Sequence, residues 1–456
     1  MPESPECPNS TSGSRRMETV AILFPASSGG KDRAAPPHTK TWLAQFSWAL
    51  FDWAYSPFAV LIITFVFPAY FAGAIVGDRV SGQAIWGYAI GASGLVVALL
   101  SVPMGAVADA GGERKPWVLG FAVGSMVATA LLWFAVPGRA SMALALSCVA
   151  VANVGVTLSG MFTNAMLPDI VAKERIGRLS GWAWGLGYIG GLAALGVALF
   201  AFVQPERPPF ALDRGQAEHI RIIGPLVAAW FALFAWPLFV FTPDRPRRPL
   251  AVDAALRAGM HNLKRTLQEL GTNRDLRLFL LANMLYADGL ATLFAFGGIY
   301  VAGTFGMSLS EVIVFGVVLN VAAGVGAFAF GWIDDWLGSL RTIAVALIGL
   351  IVACVAAVSV ESRSWLWFTG CLIGIFVGPV QSSSRALMAR LSPSDRQAEF
   401  FGLFALSGKA TAFAGPIVVA IVTEATGSQR TGLAMIIFFL VAGLVLLGTS
   451  ARGRDA

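Results

Sequence analysis

The charged residues of this chain are gathered into short connections between apolar runs of about 20 residues, and that arrangement leaves few folds open. As a helix, a run of that length crosses about 30 Å of hydrocarbon. Inside hydrocarbon, backbone polar groups must be satisfied within the segment or by a closed barrel. Alternation of apolar and polar residues in runs of about 10, the mark of a barrel, is absent. Only 13% of residues are charged, against about 25% in soluble domains. The sequence therefore predicts an all-α, multi-pass integral membrane protein surrounded by lipid bilayer.

Twelve transmembrane helices are predicted near 45–75, 82–108, 116–136, 141–166, 178–203, 220–241, 277–302, 308–333, 340–360, 364–388, 398–423 and 430–450. Residues 1–42, rich in Pro, Ser and Gly, read as a disordered tail, with Met17 as an alternative start to Met1. Residues 451–456 form a second tail. Segment 242–276 is the long polar interruption and splits the chain into six spans at 43–241 and six at 277–450. Its PDRPRRP stretch cannot continue a helix. The following VDAALRAGMHNLKRTLQEL has helical spacing and is predicted to be a surface helix with its basic face on lipid headgroups.

An even number of spans puts both tails on one side of the membrane. Lys and Arg crowd that side: Arg114 and Lys115 in loop 2–3, Lys173, Arg175 and Arg178 in loop 4–5, and Arg245, Arg247, Arg248, Arg257, Lys264, Arg265 and Arg274 in the central segment. By the positive-inside rule both termini are predicted cytoplasmic. Topology thus accounts for the net charge of +6, and no nucleic-acid partner is expected.

Several chemistries are excluded. Cys7, Cys148, Cys354 and Cys371 are scattered, and His38, His219 and His261 lie far apart, so neither a disulfide framework nor a metal site is predicted. Gly185, Gly187 and Gly190 spell G-x-G-x-x-G without a preceding strand, which points to close helix packing and not to a dinucleotide. In SGKAT, Ala410 follows Lys409 where a phosphate loop needs Ser or Thr, so direct ATP drive has no support. With no cofactor motif and no nucleophile–base pair, an enzyme is not expected.

The two halves repeat one motif. Loop 2–3 reads GAVADAGGERK, with Gly105, Asp109, Gly112, Arg114 and Lys115. Loop 8–9 reads GWIDDWLGSLR, with Gly331, Asp335 and Gly338 at the same spacing, followed by Arg341. Loop 4–5, ERIGRLSG, is echoed by SDRQAEFFG in loop 10–11, so Arg175 parallels Arg396 and Gly181 parallels Gly402. Such a duplication is a transporter architecture, with a site near the midplane between the halves. The motif suits a gate. Glycines allow close backbone approach, and an acid at the end of span 2 can sit on the positive end of a neighbouring helix while Arg114, Lys115, Arg175, Arg178 or Arg341 pair with acids nearby.

The loop 2–3 pattern resembles the signature of the major facilitator superfamily. The segments SWALFDWAYSPFAVLIITFVFPAYF, SGWAWGLGYIGG and SSSRALMARLSPSDRQAEFFGLFALSGKATAFAGP resemble the branch of vacuolar amino-acid effluxers of autophagy and their bacterial relatives. The similarity covers most of 45–450. It implies two pseudo-symmetric six-helix bundles, rocker-switch alternating access, and Asp109, Arg114 and Lys115 in a cytoplasmic gate. It also implies amino acids or similar small polar solutes as substrates, and the compact form looks like a protein of the bacterial inner (plasma) membrane. A monomer is expected. Span 5 lacks the Pro that the superfamily's antiporter motif places among its glycines, so symport and antiport stay open.

Three ionisable residues lie inside apolar runs: Asp52 on span 1, Asp288 on span 7 and Lys409 on span 11. Each costs about 2.5–3.5 kcal/mol to insert, which marks them as functional candidates. By the superfamily arrangement all three face the central path. Asp288 and Lys409 are expected to form a carboxylate–ammonium pair that opens when a zwitterionic substrate supplies its own charges or when a carboxylate takes a proton. Asn153, Asn164, Asn283, Tyr286, Asn320 and Gln381 are polar neighbours that complete this candidate site. Arg385 is a further candidate, although its place near the end of span 10 favours snorkelling to the headgroups. Proton coupling is the expected drive. The alternative is a transport-inactive scaffold or sensor that holds a partner through its basic central segment.

Overall fold

The computed structural model describes residues 38–205, 209–248 and 252–451. The expected tails and the choice between Met1 and Met17 lie outside the described residues, except that the first helix already begins at His38, ahead of the predicted boundary at 42. Among the described residues, twelve helices are long and apolar enough to cross a membrane. The first six are Thr41–Val76, Ser81–Gly111, Lys115–Phe134, Arg139–Ile170, Lys173–Val203 and Glu218–Phe241. The second six are Arg274–Phe305, Glu311–Leu337, Ser339–Ser359, Arg363–Leu391, Gln397–Thr426 and Gln429–Thr449. Every end lies within about a turn and a half of helix of its predicted place. These are spans 1 to 12 below. The face that carries loops 2–3, 4–5, 8–9 and 10–11 is the linker face, because the central segment lies there too.

Prolines shape the spans. Pro57 has no N–H for the Trp53 carbonyl, and span 1 continues beyond it as a π-helical stretch, Phe58–Phe65. The indole Nε1 of Trp230 on span 6 donates to the freed Trp53 carbonyl at 3.4 Å. Gly190 packs on the same backbone, and Gly187 lies on Asp52 and Ser56. The G-x-G-x-x-G run is thus a smooth face on span 5 that receives span 1.

The halves meet where glycines remove side chains. A side-chain carbon at Gly105 on span 2 would overlap the backbone of Ala398 and Glu399 on span 11. Gly402, one turn further along span 11, sits against Ser101 and Val102. Spans 8 and 5 repeat the arrangement: Gly331 rests on Gly177 and Arg178, and Gly181 on Ala327 and Gly331. The register is the same in both pairs, as duplicated halves require.

The central segment forms the helix Val252–Thr272. One face of it docks on protein: Gly259 packs on the backbone of Val107, and Thr266, fully buried, accepts a hydrogen bond from Arg396 at 2.9 Å. Arg396 also pairs with Glu269 at 2.8 Å. The helix is therefore fastened to the ends of spans 2 and 11, more than a surface helix lying on headgroups.

Candidate functional site

A cavity of about 450 Å³ lies between the halves, on the side away from the linker face, lined by spans 1, 5, 7, 8, 9, 10 and 12. Phe65, Phe294 and Phe315 belong to its mainly apolar wall, and Asn320 lines it as well. Chain direction places Asp52, Trp184 and Gln381 at the deep end, nearest the linker face.

Arg385 lies one helical turn beyond Gln381, under this floor. It does not snorkel. Only 2% of it is exposed, and its Nη1 bonds Asp52 Oδ2 at 2.7 Å and Asn164 Oδ1 at 3.1 Å. Nε and Nη2 reach Ser180 Oγ at 2.9 Å and the Ser180 carbonyl at 2.7 Å. The guanidinium centre lies 5.0 Å from the Trp48 ring and 5.6 Å from the Trp184 ring. All these partners belong to the first six spans, so a side chain of span 10 crosses the interface and fills it. Tyr188 strengthens the same crossing by donating to Gln381 Oε1 at 2.6 Å. Snorkelling presupposes lipid beside the residue, and this face of span 10 meets spans 1, 4 and 5 instead. A planar fork with five donors suits so many acceptors as lysine does not.

Below the floor, the linker face is closed by charge. Asp109 Oδ2 accepts the backbone N–H of Glu399, the third residue of the helix that opens span 11, at 2.8 Å. In the other half Asp335 Oδ1 accepts the N–H of Arg178, the third residue of the helix Ile176–Val197, at 3.1 Å. Each acid thus sits on the positive end of a helix from the opposite half. Arg114, 1% exposed, pairs with Asp169 at 2.8 Å and with Asp109 at 3.4 Å. Burial pulls its pKa down, and the two carboxylates oppose that shift. Arg178 pairs with Asp335 at 3.3 Å.

The central segment completes this closure with residues that spacing did not single out. Arg245 bonds Asp169 at 2.7 Å and Gln397 at 2.7 Å, joining spans 4 and 11. Asp244 accepts the N–H groups of Arg114 and Lys115 and so caps span 3. Lys115 donates to the Phe239 carbonyl at 2.8 Å, inside its own half. Arg341 and Arg175 are exposed and form no ion pair among the described residues, so the expected gate loses both. Their place is taken by Arg390 at the end of span 10, which bonds Asp334 at 2.5 Å, Asp335 at 3.5 Å, and Ser339. Spacing within a loop could not find it, because Arg390 comes from a different span.

Gly112 has φ +91, and a side chain there would meet the Pro246 carbonyl. Gly338, with φ +86, ends span 8. Gly112→Ala is expected to destabilise the protein by about 1–3 kcal/mol, through the strained backbone and the displaced central segment. Thermal unfolding of purified protein checks this, and an unchanged midpoint would contradict it.

The structure does not bring the three membrane charges together. Asp52 belongs to Arg385. Asp288 accepts the N–H of Gly415 at 3.0 Å, and Lys409 is exposed, with no ion pair to Asp288 among the described residues. The expected carboxylate–ammonium pair is thereby replaced by a carboxylate–backbone contact. The remaining candidates tie spans together. Asn283 donates to Ser407 at 2.7 Å, Tyr286 shares a hydrogen bond with Ser384 at 2.7 Å, and Asn153 donates to Ser93 at 2.7 Å. Asn320 bonds the Gly316 carbonyl of its own helix at 2.8 Å.

Comparison with known proteins bears on the family and the fold. The family model described as vacuole effluxer Atg22 like matches residues 70–455. An uncharacterized MFS-type transporter of Bacillus subtilis, YxiO, is 28% identical over 410 residues, covering 88% of this chain and 93% of that protein. Autophagy-related protein 22 of Coccidioides immitis is 22% identical, covering 84% of this chain and 75% of the relative. Among solved structures, the human organic anion transporter MFSD10 superposes with a TM-score of 0.67 at 16% identity, over 91% of this chain and 100% of that one. At that identity the likeness concerns the fold.

Proposed function

This chain belongs to the Atg22-like vacuole effluxer family within the major facilitator superfamily and is a membrane transporter, and on that premise we propose that it moves amino acids or similar small polar solutes by proton-coupled alternating access. The observation that carries this reading is the Asp52–Arg385 pair at the cavity floor. A zwitterion offers a carboxylate to the guanidinium and an amine to Asp52. Binding there replaces the bond between the halves with bonds to the solute, so occupancy and opening are linked.

In this reading the linker face is cytoplasmic, with both termini on that side of a bacterial plasma membrane. The halves 43–241 and 277–450 rock about the segment 242–276. The described conformation then has its cytoplasmic gate shut and its cavity toward the outside, and the gate opens when Asp109 and Asp335 release the helix ends they hold.

The test is uptake of radiolabelled amino acids into proteoliposomes, with and without a pH gradient, by wild type and Asp288→Asn. Accumulation should follow the gradient in the wild type and lose that dependence in the variant. Uptake indifferent to both would remove proton drive, and no uptake of any amino acid would remove the substrate class.

A further inference from the structure

Span 11 is bent at residues 410–413, between the helices Gln397–Lys409 and Ala414–Thr426. Pro416 accounts for the bend. It has no N–H for the Ala412 carbonyl, and a proline ring crowds the carbonyl four residues before it. The backbone tightens to three-residue spacing there: Ala412 N bonds Lys409 O at 3.4 Å, and Ala414 N bonds Thr411 O at 2.7 Å. The next N–H, that of Gly415, goes instead to Asp288 Oδ2 on span 7, at 3.0 Å. A side chain at Gly415 would collide with Thr292 and Asp288, so glycine is what lets the carboxylate reach the hinge. Asp288 is 2% exposed, and its Oδ1 has no hydrogen-bond partner among the described residues.

One oxygen thus holds the hinge, and the other is buried beside it without a partner. Asp288 does not line the large cavity. The charged and titratable groups on the elements packed against span 7 are Glu399, Lys409 and Glu424 on span 11, Arg430 on span 12, Arg363, Arg385 and Arg390 on span 10, Glu311, Asp334 and Asp335 on span 8, and Arg257, His261, Lys264, Arg265 and Glu269 on the linker helix. None forms an ion pair with Asp288 among the described residues.

We propose that Asp288 is a proton-operated clasp on the hinge of span 11. Ionised, it is a strong acceptor for the Gly415 N–H and holds the hinge of span 11 to span 7. Hydronium gives its proton to the carboxylate and leaves as water; the new O–H bond removes the charge, which weakens the hold on Gly415 and frees the 410–413 turn to reorient. The bond between the halves at Asp52 and Arg385 is untouched in this step. The proposal deepens the proton-coupling reading above by giving the proton a place and a moving part.

The test needs neither substrate nor gradient, so its failure is separable from a failure of transport. Ala412→Cys is introduced into a chain whose Cys7, Cys148, Cys354 and Cys371 are replaced by alanine. Maleimide labelling of this site is timed across acid to mildly alkaline pH, with Asp288 intact and with Asp288→Asn. The ratio of the two rates cancels the intrinsic pH dependence of the thiol. It should change severalfold along a one-proton curve, and a flat ratio would overturn the clasp. If Asp288→Asn does not fold, Asp288→Glu should displace the midpoint of the labelling curve, and an unmoved midpoint would overturn it equally.

Discussion

Arg385→Met is expected to lower transport by about two to three and a half orders of magnitude. Removing one member of a buried, hydrogen-bonded ion pair costs about 3–5 kcal/mol, because the other charge stays behind without a partner. Here Asp52 would be stranded, and the Ser180 and Asn164 groups that face the guanidinium would lose their donor as well. At about 1.4 kcal/mol per factor of ten, a loss of that size in a step between conformations gives the stated range. Arg385→Lys should rescue little, since an ammonium cannot serve Asp52, Asn164 and Ser180 at once. The double change Asp52→Asn with Arg385→Met separates roles. Without an orphan charge it should recover thermal stability and remain inactive. A double variant that transports normally would show the pair to be packing alone.

Gly105→Val should hold the linker face open. The new side chain falls on the backbone of Ala398 and Glu399, which cannot yield as a flexible side chain can. Overpacking of this kind costs about 1–3 kcal/mol, and it acts only on the conformation in which spans 2 and 11 touch. The equilibrium should therefore move by about one to two powers of ten toward the open state. A cysteine at Asn164, beneath the cavity floor, should become reactive from the linker face, and transport should fall with it. Gly331→Val should act alike at the second crossing, where the backbone of Gly177 and Arg178 lies. Unaltered labelling in both variants would mean that these glycines do not govern closure.

Much of this arrangement could be read from the chain. Hydropathy located the spans because a membrane helix must be apolar over its whole length, and glycines marked where the spans touch. The duplicated acid was visible at Asp109 and Asp335 for the same reason: its geometry needs a fixed spacing from Gly105 and Gly331. Partners on other spans were not visible. Depth along a helix can be counted, but the direction in which a side chain points depends on its neighbours. Arg385 lies near the end of span 10 and was expected among headgroups, yet it faces spans 1, 4 and 5. Lys409 and Asp288 are matched in depth, but the bend at Pro416 presents the Gly415 N–H to Asp288 while Lys409 stays exposed. Arg390 escaped notice because it lies on a different span from the acids it pairs with.

The paired acid–helix contacts at Asp109 and Asp335 have a consequence for how sharply the linker face closes. In the proposed rocking motion both are carried on the same two halves, so once one has formed, the other meets its partner at a high effective concentration and no longer as an independent encounter. These two contacts then act as a bivalent hold within the closure. Two contacts of modest strength, each a carboxylate on one helix end, hold together far more tightly than either alone, and a face with only one engaged is sparsely populated. Losing one acid should weaken closure by more than half its strength, and the gate should pass between shut and open in a single cooperative step.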